Sequence, residues 1–400
     1  MSDDEADPEL LELLRQHLQG KLNLRNDEPE TGVLEDARYV YDNAIDVAIQ
    51  MRACKDAAAV LHAQMRDKGY STASWGAHEL HPDPAAMHGS SGFRRHGHDG
   101  GGEDGGEEVD EDDEESGDAA AVAFVFTMDL LNFSFWSAQK EPERRFAVEY
   151  RGKRWTGYWS MVAALWRALD EGIPITDTHF WQDEEACTLE VMRHVFRSCT
   201  DEEMPLLAER LACLREAGQV LYEKYQCHPL NLVLAANGSA AGLVNLLAED
   251  FSCFRDEHPF EGRRRPVRIL KRAQIFVADL WACFRGERYG AFRDIDKITM
   301  FADYRVPQIL NSMGCLYYSP PLETAIRAGR EIPSGSSWEV QLRACSIWCV
   351  ELILKEIRQT HPDARVNAIL LDFFLYDTIK EMEAAGKETV PHHRTRSIWY

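Results

Sequence analysis

The sequence predicts a mainly α-helical protein with a small β-sheet. Apolar residues recur at the 3.6-residue helical period through most of the second half, and strand-like segments are confined to the region around residue 150. No Gly-x-Gly-x-x-Gly follows a strand and no Walker loop occurs, so the α/β folds that open on phosphate-cradling glycines lose support.

Taken in order, residues 1–36 hold eleven acids and three bases and read as an acidic, disordered tail in which Leu10, Leu11, Leu13 and Leu14 form at most a short helix. Residues 37–82 place Val40, Ala44, Val47, Ala48 and Met51 at helical spacing and are expected to form an N-terminal helical part of the catalytic domain. Residues 83–118 are Gly, Ser, His and acid, with almost nothing to bury, and read as a disordered insertion acting as a spacer. The main body is then 119–400. Its residues 121–126 and 145–150 read as β-rich, with Arg151-Gly152-Lys153 turning into Trp155.

Helical patterns follow. Residues 160–171 are periodic and end at Gly172 and Pro174, and Thr200 with Glu203 reads as a capping box for a helix running to about Tyr225. Residues 230–249, 271–284, 338–358 and 364–384 keep the same period, which gives a bundle-like helical domain.

Composition narrows the function. A chain of 400 residues, 45% hydrophobic with ten Trp, can bury a large core. No run approaches the roughly 18 apolar residues of a membrane helix, and the acidic start does not resemble a secretion signal, so a cytoplasmic protein off the membrane is expected. Ten Cys without a Cys-x-x-Cys read as reduced, packed thiols. The net charge of −23 argues against binding polymeric nucleic acid. The tail and residues 84–118 (twelve acids, two Arg) carry 18 of those charges, so the remainder is only mildly acidic.

Three places are candidate sites. His96 with His98, His392 with His393, and Cys345 with Cys349 make no complete ligand set, so no metal is expected. Arg263, Arg264, Arg265, Arg268, Lys271 and Arg272 concentrate positive charge sufficient for one phosphate, the alternative being a solvated helix start. Asp303 sits between Phe301 and Tyr304 in an apolar run ahead of Pro307. It reads either as a carboxylate opposing positive charge on a sugar ring or as a helix N-cap. Trp136, Tyr158 and Trp159 read as core aromatics.

Several words in order carry a family resemblance: Leu131-Asn132-Phe133-Ser134-Phe135-Trp136, Tyr150-Arg151-Gly152-Lys153 through Gly157-Tyr158-Trp159-Ser160, and Arg167 through Thr176. Lys271-Arg272-Ala273-Gln274, the run from Phe301 to Pro307, and Trp348-Cys349-Val350-Glu351-Leu352 follow. Over residues 40–82 and 119–400 the chain resembles the queuosine salvage protein family of queuosine 5'-phosphate N-glycosylases. The resemblance implies a helical fold similar to DNA glycosylases and hydrolysis of queuosine 5'-monophosphate to queuine and ribose 5-phosphate. It implies no metal and no other cofactor. It makes Asp303 the catalytic carboxylate, sets Phe301 against the base, and assigns His78, Asp372, Phe373 and Asp377 to base contacts.

The chemistry suits these residue types. Queuine is a 7-deazaguanine, so the nitrogen that purine hydrolases protonate is a carbon, and more of the barrier must fall at the sugar, where a desolvated carboxylate acts strongly. Carboxylates accept the N–H donors of a guanine-like edge, although Asp372 and Asp377, five apart, point about 140° away from each other on a regular helix. Lys271, Arg272, Arg305, His393 and Arg394 are the candidate phosphate ligands. The competing readings are a non-catalytic queuine or nucleotide carrier and a DNA-repair glycosylase.

Overall fold

Two buried helices organise the residues that the computed structural model describes, which are 28–87, 111–387 and 389–400. Ser337–Thr360 packs against Val33–Asn43, Met51–Asp67, Arg305–Ser312 and Ala368–Ala384, and Glu111–Leu130 packs against Lys271–Cys283, Tyr158–Asp170 and Leu207–Tyr225. These elements belong to a unit running from Thr31 to Tyr400. Ser336 caps the first helix through Glu339 N–H, and Asn367 caps Ala368–Ala384 through Leu370 N–H. The mainly helical expectation holds.

The β content takes the form of three separate two-stranded antiparallel ribbons among the described residues, not one sheet. Ala147–Tyr150 pairs with Lys153–Thr156 around Arg151 and Gly152, both at positive φ (50° and 72°), which is the backbone a two-residue hairpin turn needs. Val47–Ile49 pairs with Leu316–Tyr318, and Glu257–His258 with Val267–Arg268. The first of these ribbons interrupts the N-terminal segment read as wholly helical. Three residues are too few for an alternation to be visible in the sequence.

Further readings change. Residues 121–126 are helical, not β-rich. Ala121, Val122, Ala123, Phe124, Val125 and Phe126 are all buried, so their helix is covered on every face and shows no polar stripe. That helix begins at Glu111, inside the stretch read as disordered, and Val33–Asn43 likewise begins inside the predicted tail with Asp36 fully buried. Leu10–Leu14 and residues 88–110, including His96 and His98, lie outside the described residues.

Thr200 bonds within a turn to Ser198 and Glu202, and the helix starts only at Leu207, after Pro205. The 230–249 pattern is two helices, Pro229–Ala235 and Ala240–Asp250, broken where Asn237 and Gly238 take φ of 49° and 67°. The basic concentration is largely spent on structure: Arg263 and Arg265 pair with Glu35 and the buried Asp36, and Arg268 pairs with Glu257. These contacts tie the first helix to the body.

One buried ion pair sets the register of the site elements. Arg343 donates Nη1 and Nη2 to the two oxygens of Asp256 (2.9 and 2.6 Å) and Nε to Ala302 O (2.8 Å), and Asp256 Oδ2 accepts Lys271 N–H (3.1 Å). Desolvation alone would raise the Asp256 pKa, but Arg343 and the His258 bond outweigh it and hold the carboxyl well below the ordinary range. Arg343→Ala strands a buried carboxylate and should cost about 3–5 kcal/mol in denaturant unfolding. Breaking the exposed Arg358–Asp296 pair should cost under about 1 kcal/mol. Because the folded pKa of Asp256 is depressed, its contribution is complete above about pH 4 and lost below it. Wild type should therefore lose more stability than Arg343→Ala between pH 5 and 2, as read from paired melting curves.

Candidate active site

The polar side chains converge on a cavity of about 710 Å³, a volume typical of small-molecule sites. Lys271 enters it from the first turn of its helix, and Asp303 from the loop before the helix Arg305–Ser312. Their spacing is held from both sides. Gln274 Nε2 donates to Thr299 Oγ1 (3.0 Å) while its Oε1 accepts Thr299 N–H (3.0 Å), fastening the Lys271 helix to the run that leads into Asp303.

Asp303 Oδ1 accepts the N–H groups of Arg305 (2.6 Å) and Val306 (3.1 Å). One oxygen thus holds the start of this helix, although the N-cap residue itself is Tyr304 and not Asp303. Oδ2 has no hydrogen-bond partner among the described residues, so the carboxylate is pinned at one end and presents the other to the cavity. Desolvation raises its pKa, opposed first by the Lys271 ammonium and then by the two backbone donors; desolvation lowers the Lys271 pKa, opposed first by Asp303. Each is the main support of the other's charge.

To one side of this pair the wall is aromatic and acidic. Phe301 and Phe373 lie 5.8 Å apart, and Asp372 Oδ2 accepts Phe301 N–H (3.0 Å). Asp377 takes the Tyr70 hydroxyl (2.5 Å). Asp372 is buried and Asp377 exposed, so the two reach the cavity at different depths, which removes the objection raised by their spacing. His78 stacks on Trp159 at 3.3 Å and His81 on Trp75 at 3.7 Å. Desolvation lowers both imidazole pKa values, that of His81 to about 3, so neither carries charge at neutral pH.

The other side gathers cations. Arg305 is neutralised by Glu383 and bonds Gln308, and Lys380 shares Glu383 (3.3 Å). Arg145, Lys387 and Arg394 also line the cavity and pair with no carboxylate among the described residues. Arg145 donates only to the carbonyls of Gln139 and Lys140, and Arg394 lies over the Trp136 ring at 5.4 Å. Tyr304 and His392, 4.6 Å apart, form the floor between them.

Asp303, Phe301, Asp372, Phe373, Asp377, His78, Lys271, Arg305 and Arg394 thus meet in one place. Arg272 and His393 do not line it. Arg272 is buried between the rings of Phe133 and Phe254 and donates to the carbonyls of Leu130 and Cys253; His393 is buried against the Tyr400 hydroxyl (3.2 Å). Tyr158, Trp159 and Trp136, read as core, form cavity wall.

Sequence reasoning missed Arg145, Lys380, Lys387 and Asp279. Of these, Asp279 gave a signal, an acid inside the apolar run 275–283. Among the described residues, the group of donors close enough to hold an ion is Cys54, Cys315 and Cys349, with Cys54 Sγ 3.6 Å from Cys349 Sγ. None of the three lines the cavity, and Cys345 is not part of the group.

The profile of the queuosine salvage protein family matches residues 112–400. A Schizosaccharomyces pombe protein named queuosine 5'-phosphate N-glycosylase/hydrolase is 39% identical over 92% of this chain and 99% of its own length. A Mus musculus protein of that name is 38% identical over 93% and 99%, and a Sphaerobacter thermophilus one is 37% identical over 71% and 83%. The match over most of the chain and these identities place this protein in the queuosine salvage protein family.

Proposed function

We propose that the chain hydrolyses the N-glycosidic bond of queuosine 5'-monophosphate, releasing queuine and ribose 5-phosphate for reuse in tRNA modification. The observation that carries this reading is the half-satisfied Asp303 carboxylate, set between an aromatic, acidic wall and a cationic one. The base lies along Phe301, Phe373 and His78, with Asp372 and Asp377 accepting its N–H groups. The phosphate lies among Arg145, Lys387 and Arg394, with Arg305 and Lys380 behind them. The anomeric carbon then falls beside Asp303 Oδ2.

In that pose the barrier is lowered chiefly by charge. As the glycosidic bond stretches, positive charge builds on the ribose, and a desolvated carboxylate fixed by two backbone N–H groups meets it without reorganising. The Lys271 ammonium opposes the rise that burial imposes on the Asp303 pKa. The helical body is read as similar to the DNA glycosylase fold, with the catalytic Asp at the entry to a helix. We place the enzyme in the cytoplasm, since all ten Cys are free thiols and no helix among the described residues is long and apolar enough to cross a membrane.

Purified protein incubated with queuosine 5'-monophosphate should release free queuine, detected by mass. Asp303→Asn keeps the shape and the two backbone bonds but removes the charge. It should lower kcat by about 10²–10³-fold while nucleotide binding, read by calorimetry, persists. Unchanged turnover would refute the role of Asp303, and a wild-type protein that binds without cleaving would make this chain a carrier.

Arg394→Ala and Arg145→Ala should each raise KM for the nucleotide by about tenfold or more, as expected for losing one charge-assisted contact to phosphate. Both variants should lose preference for nucleotide over nucleoside when the two are compared at equal concentration.

A further inference from the structure

Behind the aromatic wall lie two carboxyl groups that the reading so far does not use. Asp129, near the end of Glu111–Leu130, and Asp279, in Lys271–Cys283, are both fully buried, and their carboxyl groups lie close enough to influence each other's ionisation. Trp75 Nε1 donates to Asp279 Oδ1 (2.9 Å) and Asn132 Nδ2 to Asp129 Oδ1 (3.2 Å). The remaining oxygen of each, Oδ2, is buried with no hydrogen-bond partner. The nearest cation, Lys271, is engaged with Asp303 and with Asn132 O (3.4 Å), and Arg272 is committed to two carbonyls. Two neighbouring carboxyl groups out of water, with Lys271 and Arg272 held by other partners, disfavour double ionisation, so the resting pair holds a proton and carries a second negative charge only transiently. Asp279 faces the cavity beside Trp75, His81 and Tyr158.

We propose that Asp279 is the general acid of the reaction, handing the proton that it shares with Asp129 to the departing base. This rests on the assignment of the base to the aromatic wall. A 7-deazaguanine lacks the ring nitrogen that purine hydrolases protonate, so a proton must reach another nitrogen from a donor buried beside the base. Of the other titratable groups on that wall, both His have pKa values lowered by burial and Tyr158 is pushed far above its ordinary range by burial; Asp372 is also pushed well above its usual value by burial, but one of its oxygens is taken by the Phe301 N–H. Desolvation raises Asp129 to about 7 and Asp279 well above its usual value.

The balance closes without a further reagent. The C1'–N bond breaks, its electron pair stays on the base, and the Asp279 proton joins a base nitrogen. The pair is left as a dicarboxylate facing Lys271. Water adds to C1', and the proton it sheds restores the pair.

Two readouts test this. The first compares queuosine 5'-monophosphate with 4-nitrophenyl ribofuranoside 5-phosphate, whose phenolate leaves unprotonated. Asp279→Asn, which can still accept from Trp75, and Asp129→Asn should lose about 100-fold or more in kcat on the nucleotide and far less on the phenolate probe. Equal losses on both substrates, or a loss under about threefold on the nucleotide, overturn the proposal. Asp303→Asn should fail on both, and a wild type inert to the nucleotide sinks the functional reading instead. The second readout is infrared spectroscopy of carbon-13 aspartate-labelled protein at neutral pH. A protonated-carboxyl band present in wild type and missing from Asp129→Asn is expected, and its absence from wild type overturns the proposal whatever the kinetics show.

Discussion

The site depends on the Asp256–Arg343 pair. Asp256 receives the first backbone N–H of the Lys271 helix, and Arg343 holds the carbonyl immediately before Asp303. One buried salt bridge thus fixes both members of the central Lys271–Asp303 pair against a common reference. Glu339, one helical turn before Arg343, bonds the same guanidinium (3.1 Å), and the Tyr400 ring lies 4.1 Å from it. A buried ion pair is weak evidence for net stability, since desolvation offsets most of the Coulombic gain. Its value here is positional: a carboxylate and an ammonium misplaced by about 1 Å would lose much of their effect on a transition state.

The same burial explains the acidity of the cavity. Asp129, Asp279, Asp303 and Asp372 all interact with a single ammonium, Lys271. Lys271 cannot neutralise all four. Where backbone N–H groups or Lys271 face a carboxyl, as at Asp303, ionisation is supported. Where another carboxyl faces it, as at Asp279, the rise that burial imposes is reinforced. Burial pushes all four carboxyl pKa values up, and the partners of each decide how far that rise is opposed.

Much of this was legible in the sequence because helices with a solvent face print their period, as at 338–358 and 364–384. Residues 121–126 did not, because they are buried on every face and show no polar stripe. Strands of two or three residues are set by tertiary pairing, not by local pattern, so Val47–Ile49 left no trace. The site was readable wherever an acid interrupted an apolar run, as at Asp303, and Asp279 and Asp129 carried the same signal unread. Arg145, Lys380 and Lys387 were not readable. Surface-type sequence surrounds them, and only the fold brings them to one end of the cavity. Arg272 misled for the converse reason: a cation beside the cavity-lining Lys271 serves as an internal brace between carbonyls.

The helix Ala368–Ala384 links the two ends of the cavity and explains why the substrate should be a nucleotide and not a free base. Asp372, Phe373, Tyr376, Asp377, Lys380 and Glu383 all line the cavity and recur at intervals of three to four residues, so they share one face despite the wide angle between Asp372 and Asp377. From Asp372 to Glu383 the helix rises about 16 Å. Along that rise the side chains change from acceptors suited to base N–H groups to a Lys–Glu–Arg305 cluster backing unpaired cations. A ligand satisfying only the acidic end would leave Arg145, Lys387 and Arg394 facing one another without an anion, an arrangement that self-repulsion disfavours in proportion to their desolvation. A phosphate removes that repulsion and fixes the sugar between the two ends, where Asp303 waits with one unpaired oxygen.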